Sequence, residues 1–489
     1  EATLKGNFVN RRITTQLAPT PIGNRTFRFT LDNNPFLSAA AKASLNTLGS
    51  TTAYTIPTSS PWTAGTFTDV DTDGDGIFET VTGVFNRRLT EVGPRISNFN
   101  FYGFQMQGGL TGAVEAINGK WELGLQYGNT HGSNSLLGDT SLQRIQQGLL
   151  LNAAGTACQD PSNGCVPLNF YGLGRISPAA ATFIGTRINS SQDFEEIIAQ
   201  GFVSGDTANF LNLPAGPISF ALGAEYRSDE FAFRPSQDLA VGNLTGFNAS
   251  PPVSGYIDVY ELTGEVRVPL LKDLPFIQEL AVEAAGRLSD YSTQNGLTET
   301  YKVAGDWTVN DDLRLRASYN RAVRAPSVGE LFSPVGNSFP TSTDPCSAQG
   351  APNAATRQAC INSGVPANLV GVIQANQQTQ TLTGGNRNLE PEVADTYTAG
   401  FVWTPSFVPR LSVTVDYFNI KIDNYIASFG GSTANVLNVC YRNATVNGNP
   451  ASPYCSAIRR LGNGSIDFVS LQLQNVAKNT TEGVDVAVS

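Results

Sequence analysis

The chain of 489 residues carries one methionine and one histidine, and only 15% of its residues are charged. A sole histidine, His131, excludes a multi-histidine metal site, so a turn or rim role is expected for it. No C-x-x-C pair occurs, which argues against a cytosolic zinc site. No apolar run reaches the ~18–20 residues of a transmembrane helix. Lys and Arg number 31 against 41 Asp and Glu, for a formal net charge of -10. The basic footprint of nucleic-acid binding is missing, so no nucleic-acid partner is expected. No G-x-S-x-G, H-E-x-x-H or Walker pattern appears, and nothing fixes two carboxylates at a glycosidase spacing. The chain is therefore not expected to be an enzyme. Its opening, EATLKGNFVNRR, is strand-like and unlike a signal peptide, so a mature or truncated surface protein is expected.

What the chain does have is 48 glycines, 27 phenylalanines and 15 tyrosines. Its length exceeds the ~250–300 residues at which one soluble core stops growing, so either several domains or one large closed sheet is required. The stretch LRLRASYNRAVR favours the sheet. Leu313, Leu315, Ala317 and Tyr319 fall on one side of a strand, and Arg314, Arg316, Ser318 and Asn320 on the other. Residues 255–268, 279–290 and 410–420 alternate in the same way. A solvated sandwich would also alternate, so the connections carry more weight. Short links such as PLLKDLPFIQ, VNDD and PSFVP lie between long ones, with candidate long loop regions at 11–80, 132–195, 229–254, 324–393 and 421–465. Long loops at one end and short turns at the other are the pattern of an outer-membrane barrel. A soluble extracellular β-protein leaves that asymmetry without an account.

Strands are expected near 3–10, 84–92, 99–113, 121–131, 196–205, 217–228, 255–268, 279–290, 299–308, 313–323, 394–404, 410–420, 466–475 and 482–489, about fourteen in all. Alternation of direction asks for one more descending strand within 11–80, for which RTFRFTL (25–31) is a poor candidate. The fold class expected is all-β, a transmembrane antiparallel barrel of outer-membrane type. Six cysteines allow fifteen pairings. Proximity favours Cys158 with Cys165, Cys346 with Cys360, and Cys440 with Cys455. Such disulfides fit an oxidising compartment such as the cell surface.

Two stretches, SYNRAVRAPSVGELF (318–332) and GGNRNLEPEVADTYTAGFVW (384–403), resemble recurring segments of TonB-dependent outer-membrane receptors. DYFNIKIDNYI (416–426) and NTTEGVDV (479–486) resemble the strands that follow in that family. The resemblance implies a barrel of about 22 strands when complete, with a plug domain inside it. It also implies residence in the outer membrane of a Gram-negative bacterium and energy-coupled import. The implied partners are the TonB–ExbB–ExbD complex, acting through the plug, a small nutrient ligand, and the lipid bilayer with its lipopolysaccharide. Neither a plug domain nor a TonB box is found in residues 1–489, which are read as a partial barrel domain. A surface binding or adhesion barrel without transport is the alternative.

Arg321, Arg324, Pro326, Ser327, Glu330 and Leu331 match the first family stretch, and Asn386, Leu389, Pro391 and Glu392 the second. They are expected to organise the outer rim, with Arg324 pairing Glu330. Ligand contacts are sought among loop aromatics: Trp62, Phe67, Phe170, Tyr171 and Phe339. In DVDTDGDGIFE, Asp71, Asp73 and Asp75 alternate as calcium loops require, Gly76 permits the turn, and Glu79 adds a carboxylate. The closing bidentate glutamate of the standard loop is missing, so Ca2+ is a candidate ligand and a merely hydrated acidic loop the alternative. No cofactor is required.

Overall fold

The computed structural model describes residues 2–56, 62, 64–373, 378–461, 464–476 and 478–489. Twelve strands form one sheet in chain order. They are β1 (Ala2–Leu17), β2 (Arg95–Val114), β3 (Gly119–Thr140), β4 (Gly185–Asp206), β5 (Ser219–Pro235), β6 (Val253–Leu274), β7 (Ile277–Tyr291), β8 (Thr298–Asn310), β9 (Leu313–Arg324), β10 (Glu392–Trp403), β11 (Val413–Asp423) and β12 (Asn479–Val488). All neighbours are antiparallel. The long connections gather at one end of the sheet and the tight turns at the other, the tightest being those after β6 and β8.

The two faces differ chemically along the whole sheet. Leu313, Leu315 and Tyr319 stand beside Trp403, Phe401 and Tyr397, and the first two of those partners beside Val413 and Val415. This face leaves large apolar side chains open, Leu262 at 62% and Val486 at 63% exposure. Toward the loop end it finishes in tyrosines whose hydroxyls each donate to a carboxylate. Tyr127 reaches Glu195, Tyr226 reaches Asp258, Tyr319 reaches Asp395, and Tyr417 reaches Glu482, at 2.8–3.3 Å.

The opposite face holds ion pairs: Arg287 with Glu261, Lys302 with Glu283, Arg314 with Asp306, and Arg316 with Asp416. Arg316 spans β10 to reach Asp416 on β11, its Nε 2.9 Å from the carboxylate. The residue it passes is Gly400, where a Cβ would lie 2.1 Å from Asp416 Oδ1. Glycine here clears the path of a side chain. Three of these pairs are partly solvated and each contributes at most about 1 kcal/mol, whereas in the fourth the Glu261 carboxylate is buried and also accepts from Ser289; together they keep the face wet more than they hold it together.

The two largest buried cores lie in the loops. Phe27, Phe29, Leu31, Val81 and Leu89 meet Leu142, Ile145, Leu149, Leu168 and Ile184 in one cluster. The helix Leu142–Leu149, capped by Ser141, turns Leu142, Ile145 and Leu149 inward and so serves loop packing. A second cluster joins residues from the loops after β9 and β11 around Cys346–Cys360 and Cys440–Cys455; the third disulfide is Cys158–Cys165. Within it Arg460, almost fully covered, places both terminal nitrogens 2.7 Å from Asp344.

The expected closed transmembrane barrel of about 22 strands is corrected by the sheet itself. Among the described residues no sheet closes: β1 pairs only with β2 and β12 only with β11. Alternation is a local signal that fixes faces, whereas closure is a pairing between distant strands that no local pattern encodes. Two expected strands also fall outside the sheet. Residues 80–88 pair with 21–30 in a loop hairpin, and 466–470 join a small sheet of loop segments. The extra descending strand within 11–80 is thereby unnecessary, because β1 runs to Leu17 and meets β2 directly. Many strands outrun their expected ranges, β3 reaching 22 residues where 121–131 was expected. Their loop-end halves, such as NTHGSNSLLGDT, are polar on both faces and carry no period-two signal.

Gly400→Ala is expected to displace Asp416 and destabilise the folded chain by about 1–3 kcal/mol, the usual range for overpacking. Chemical denaturation in detergent reads it. Asp344→Ala, which strands the buried Arg460, should cost about 3–5 kcal/mol locally and open residues 336–383 and 458–470 to protease.

Candidate functional site

The two family stretches meet at Arg324, the last residue of β9. Its guanidinium binds both Glu330 oxygens at 2.9 and 3.1 Å, and both Glu392 oxygens at 2.7 and 2.9 Å. Pro326 lacks an N–H and ends the strand. Ser327 then caps the helix Val328–Phe332 in a reciprocal box with Glu330. That helix inserts Val328 and Leu331 beside Ile257, Leu389 and Ile426. Asn386 fixes the second stretch, its N–H on the Glu330 carbonyl and its amide on the Leu473 carbonyl at 3.0 Å. Glu392 also accepts from the Ile426 N–H at 2.8 Å. One arginine thus ties the ends of β9 and β10 to the loop after β11. Bidentate charge-assisted contacts of this kind fix geometry as well as charge.

Arg321 lies three residues before Arg324 and so faces the other way. It pairs with Asp395 at 3.0 Å beside Tyr301 and Tyr319, on the apolar face. With Leu389 and Pro391 it lines a cavity of about 670 Å³ at the loop end. The rim residues therefore divide between the two faces.

The five aromatics separate into two kinds. Phe170 is 3% exposed inside the first loop cluster, against Phe85 and the Arg87 guanidinium. Tyr171 packs on Phe29 and Phe85, and burial pushes its phenol pKa up. Phe67 lies 4.2 Å beneath the Arg28 guanidinium. Trp62 and Phe339, far apart in sequence, flank one guanidinium, that of Arg25. Sequence reading missed Arg25; its parity with Phe27 and Phe29 was the available signal.

In the acidic loop, Asp71 accepts from the Gly74 and Gly76 N–H groups, and both glycines adopt positive φ. Carboxylate oxygens of Asp71, Asp73 and Glu79 lie within 4.8 Å of one another, as do those of Asp32, Asp73 and Asp75. The donor set is all hard oxygen, so these carboxylates could coordinate a divalent cation such as Ca2+. Asp32 enters from another part of the chain, a member that no local motif announces. Burial, then the charge of Asp75, push its pKa up. His131 stands away from both acidic groups, its Nδ1 2.5 Å from Asp193 and its ring stacked on Tyr102.

The family model of the TonB-dependent receptor-like β-barrel matches residues 6–489, and the chain belongs to that family. Its members are transport receptors, not enzymes. Among solved structures, the siderophore receptor PirA of Acinetobacter baumannii is 13% identical, with 81% of this chain aligned to 42% of that one at a TM-score of 0.40. The ferric enterobactin receptor PfeA of Pseudomonas aeruginosa is 14% identical, with 81% aligned to 41% at 0.42. PirA of P. aeruginosa is 12% identical, with 85% aligned to 66% at 0.36. The chain therefore spans less than half the length of the first two. None of the curated proteins matches it.

Burial alone would raise the Glu330 pKa, but the Arg324 guanidinium and the Ser327 N–H outweigh it and hold the carboxyl below its ordinary 4.5. A depressed carboxyl stabilises the fold above its unfolded pKa and loses that contribution as pH falls through the folded value. Melting temperature should therefore drop on acidification below pH 4.5, and Glu330→Gln should flatten that step. For the acidic loop, terbium luminescence should report a cation site. Asp73→Asn, common to both carboxylate groups, should weaken it ~tenfold or more, whereas an unchanged titration would return the loop to a hydrated acidic turn.

Proposed function

We propose that the chain is the membrane-embedded and ligand-capturing part of a TonB-dependent receptor of the Gram-negative outer membrane. In this reading it serves energy-coupled import of a scarce nutrient such as a ferric siderophore or an oligosaccharide. The observation that carries the proposal is the sheet's continuous apolar face, which ends in hydrogen-bonded tyrosines beneath loops with packed cores of their own. Water gives such a face no partner, while acyl chains cover it and the tyrosines sit at the headgroup level. The ion-paired face and the loops then meet water, where the ligand is captured. Energy would come from the TonB–ExbB–ExbD complex acting through a plug domain, and lipopolysaccharide would surround the outer rim.

The test is partition and substitution. The expressed protein should fractionate with outer membranes and resist carbonate extraction. Leu315→Arg and Val415→Arg should each cost about 2–4 kcal/mol of folding stability in lipid. Asn320→Arg, on the ion-paired face of the same strand, should be tolerated. Equal effects at the two faces, or recovery of the folded protein from the soluble fraction without detergent, would refute the membrane assignment.

A further inference from the structure

In the paired loop strands, over residues 25–30 and 80–85, side chains alternate inward and outward. Phe27 and Phe29, with Leu31 just beyond, fill consecutive inward places and are wholly buried. The inward place before them belongs to Arg25, whose guanidinium is packed 6.0 Å from the Trp62 ring centroid and 5.7 Å from that of Phe339. Trp62 comes from the same long loop and packs on its core; Phe339 comes from the loop between β9 and β10. Arg25 has no ion pair with any described residue, in contrast to its neighbour Arg28, which binds Asp69. Burial depresses its pKa with no carboxylate opposing the shift. Beside it the Trp62 indole N–H is buried and finds no acceptor.

A cation taken from water without a counter-charge is unfavourable, and an unmet N–H at its side adds to the cost. Ring faces offset only part of it. An unmet indole N–H beside a guanidinium that has no counter-charge among the described residues calls for acceptor oxygens carrying negative charge. A guanidinium binds a planar carboxylate in a two-point fork and stacks with rings, so the favoured occupant pairs such a group with an aromatic plane. We propose that Arg25, Trp62 and Phe339 form a binding site for a planar aromatic anion, an aromatic carboxylate being the simplest case. The site rests on the receptor reading above and supplies the chemical class of its ligand. Two loops distant in sequence each contribute a ring, so occupancy would also draw those loops together.

The experiment is calorimetric titration of the detergent-solubilised full chain with benzoate, and separately with neutral benzamide. Benzoate should bind and benzamide should bind at least tenfold more weakly. Arg25→Gln should lower benzoate affinity at least tenfold, and Arg25→Lys, which keeps charge but loses the fork, should fall between. Phe339→Leu, outside the buried loop core, should also weaken binding, and circular dichroism checks that each variant is folded. Absence of benzoate binding, equal binding of benzamide, or an unaffected Arg25→Gln variant would overturn the site. Because the readout needs no transport, loss of this site leaves the membrane assignment to its own fractionation test. Arg25-dependent binding by a protein found outside the membrane would instead keep the site and remove the importer.

Discussion

A strand shows its side chains to two sides, and in this sheet one side is apolar up to a band of carboxylate-bonded tyrosines at the loop end. Everything else follows from the need to cover that side. Among the described residues nothing covers that face, since the two largest buried clusters sit in the loops, around Phe27, Phe29 and Leu437. Most of the ion pairs on the other face are too exposed to compensate by their own energy. What they achieve is to keep that face compatible with water while the backbone ladder holds the strands. Gly400 shows how far this goes: a side chain is removed from one strand so that Arg316 can reach Asp416 on the next.

The loop end is built on a different principle. Arg324 gathers two carboxylates from segments that are distant in sequence, and the capped helix after it inserts Leu331 into a small apolar cluster with Leu389. The loops are thereby set at fixed positions above the strand ends. Disulfides and the enclosed Arg460–Asp344 pair stiffen the parts farther out. On such a frame Arg25 is the exception, a charge in an inward position with rings beside it and no ion pair with any described residue. The contrast is with Arg28, three residues on and paired to Asp69.

How much of this could be read beforehand depends on the range of the signal. Faces were legible, because Leu313 to Asn320 alternate within one strand. The Arg324–Glu330 pair was legible, since both partners lie within a few residues. Glu392 as the second partner of Arg324 was not, nor was Asp32 in the acidic group, because each arrives from a remote segment. Residues 84–92 alternate as a membrane strand would, yet Phe85 turns into a loop core, for alternation does not say what covers the apolar side. Closure failed for the same reason: the partners of β1 and β12 are a matter of topology, and the sheet is open at both.

The central claim is that the apolar face meets lipid and the ion-paired face meets water. All six cysteines are in disulfides and no free thiol competes, so single cysteines can be introduced along β9 from Leu313 to Asn320 and labelled with a nitroxide. In lipid vesicles, collision with oxygen and with a water-soluble nickel chelate should alternate out of phase. Positions 313, 315, 317 and 319 should favour oxygen, and 314, 316, 318 and 320 the chelate. Equal chelate access at both sets would contradict the account.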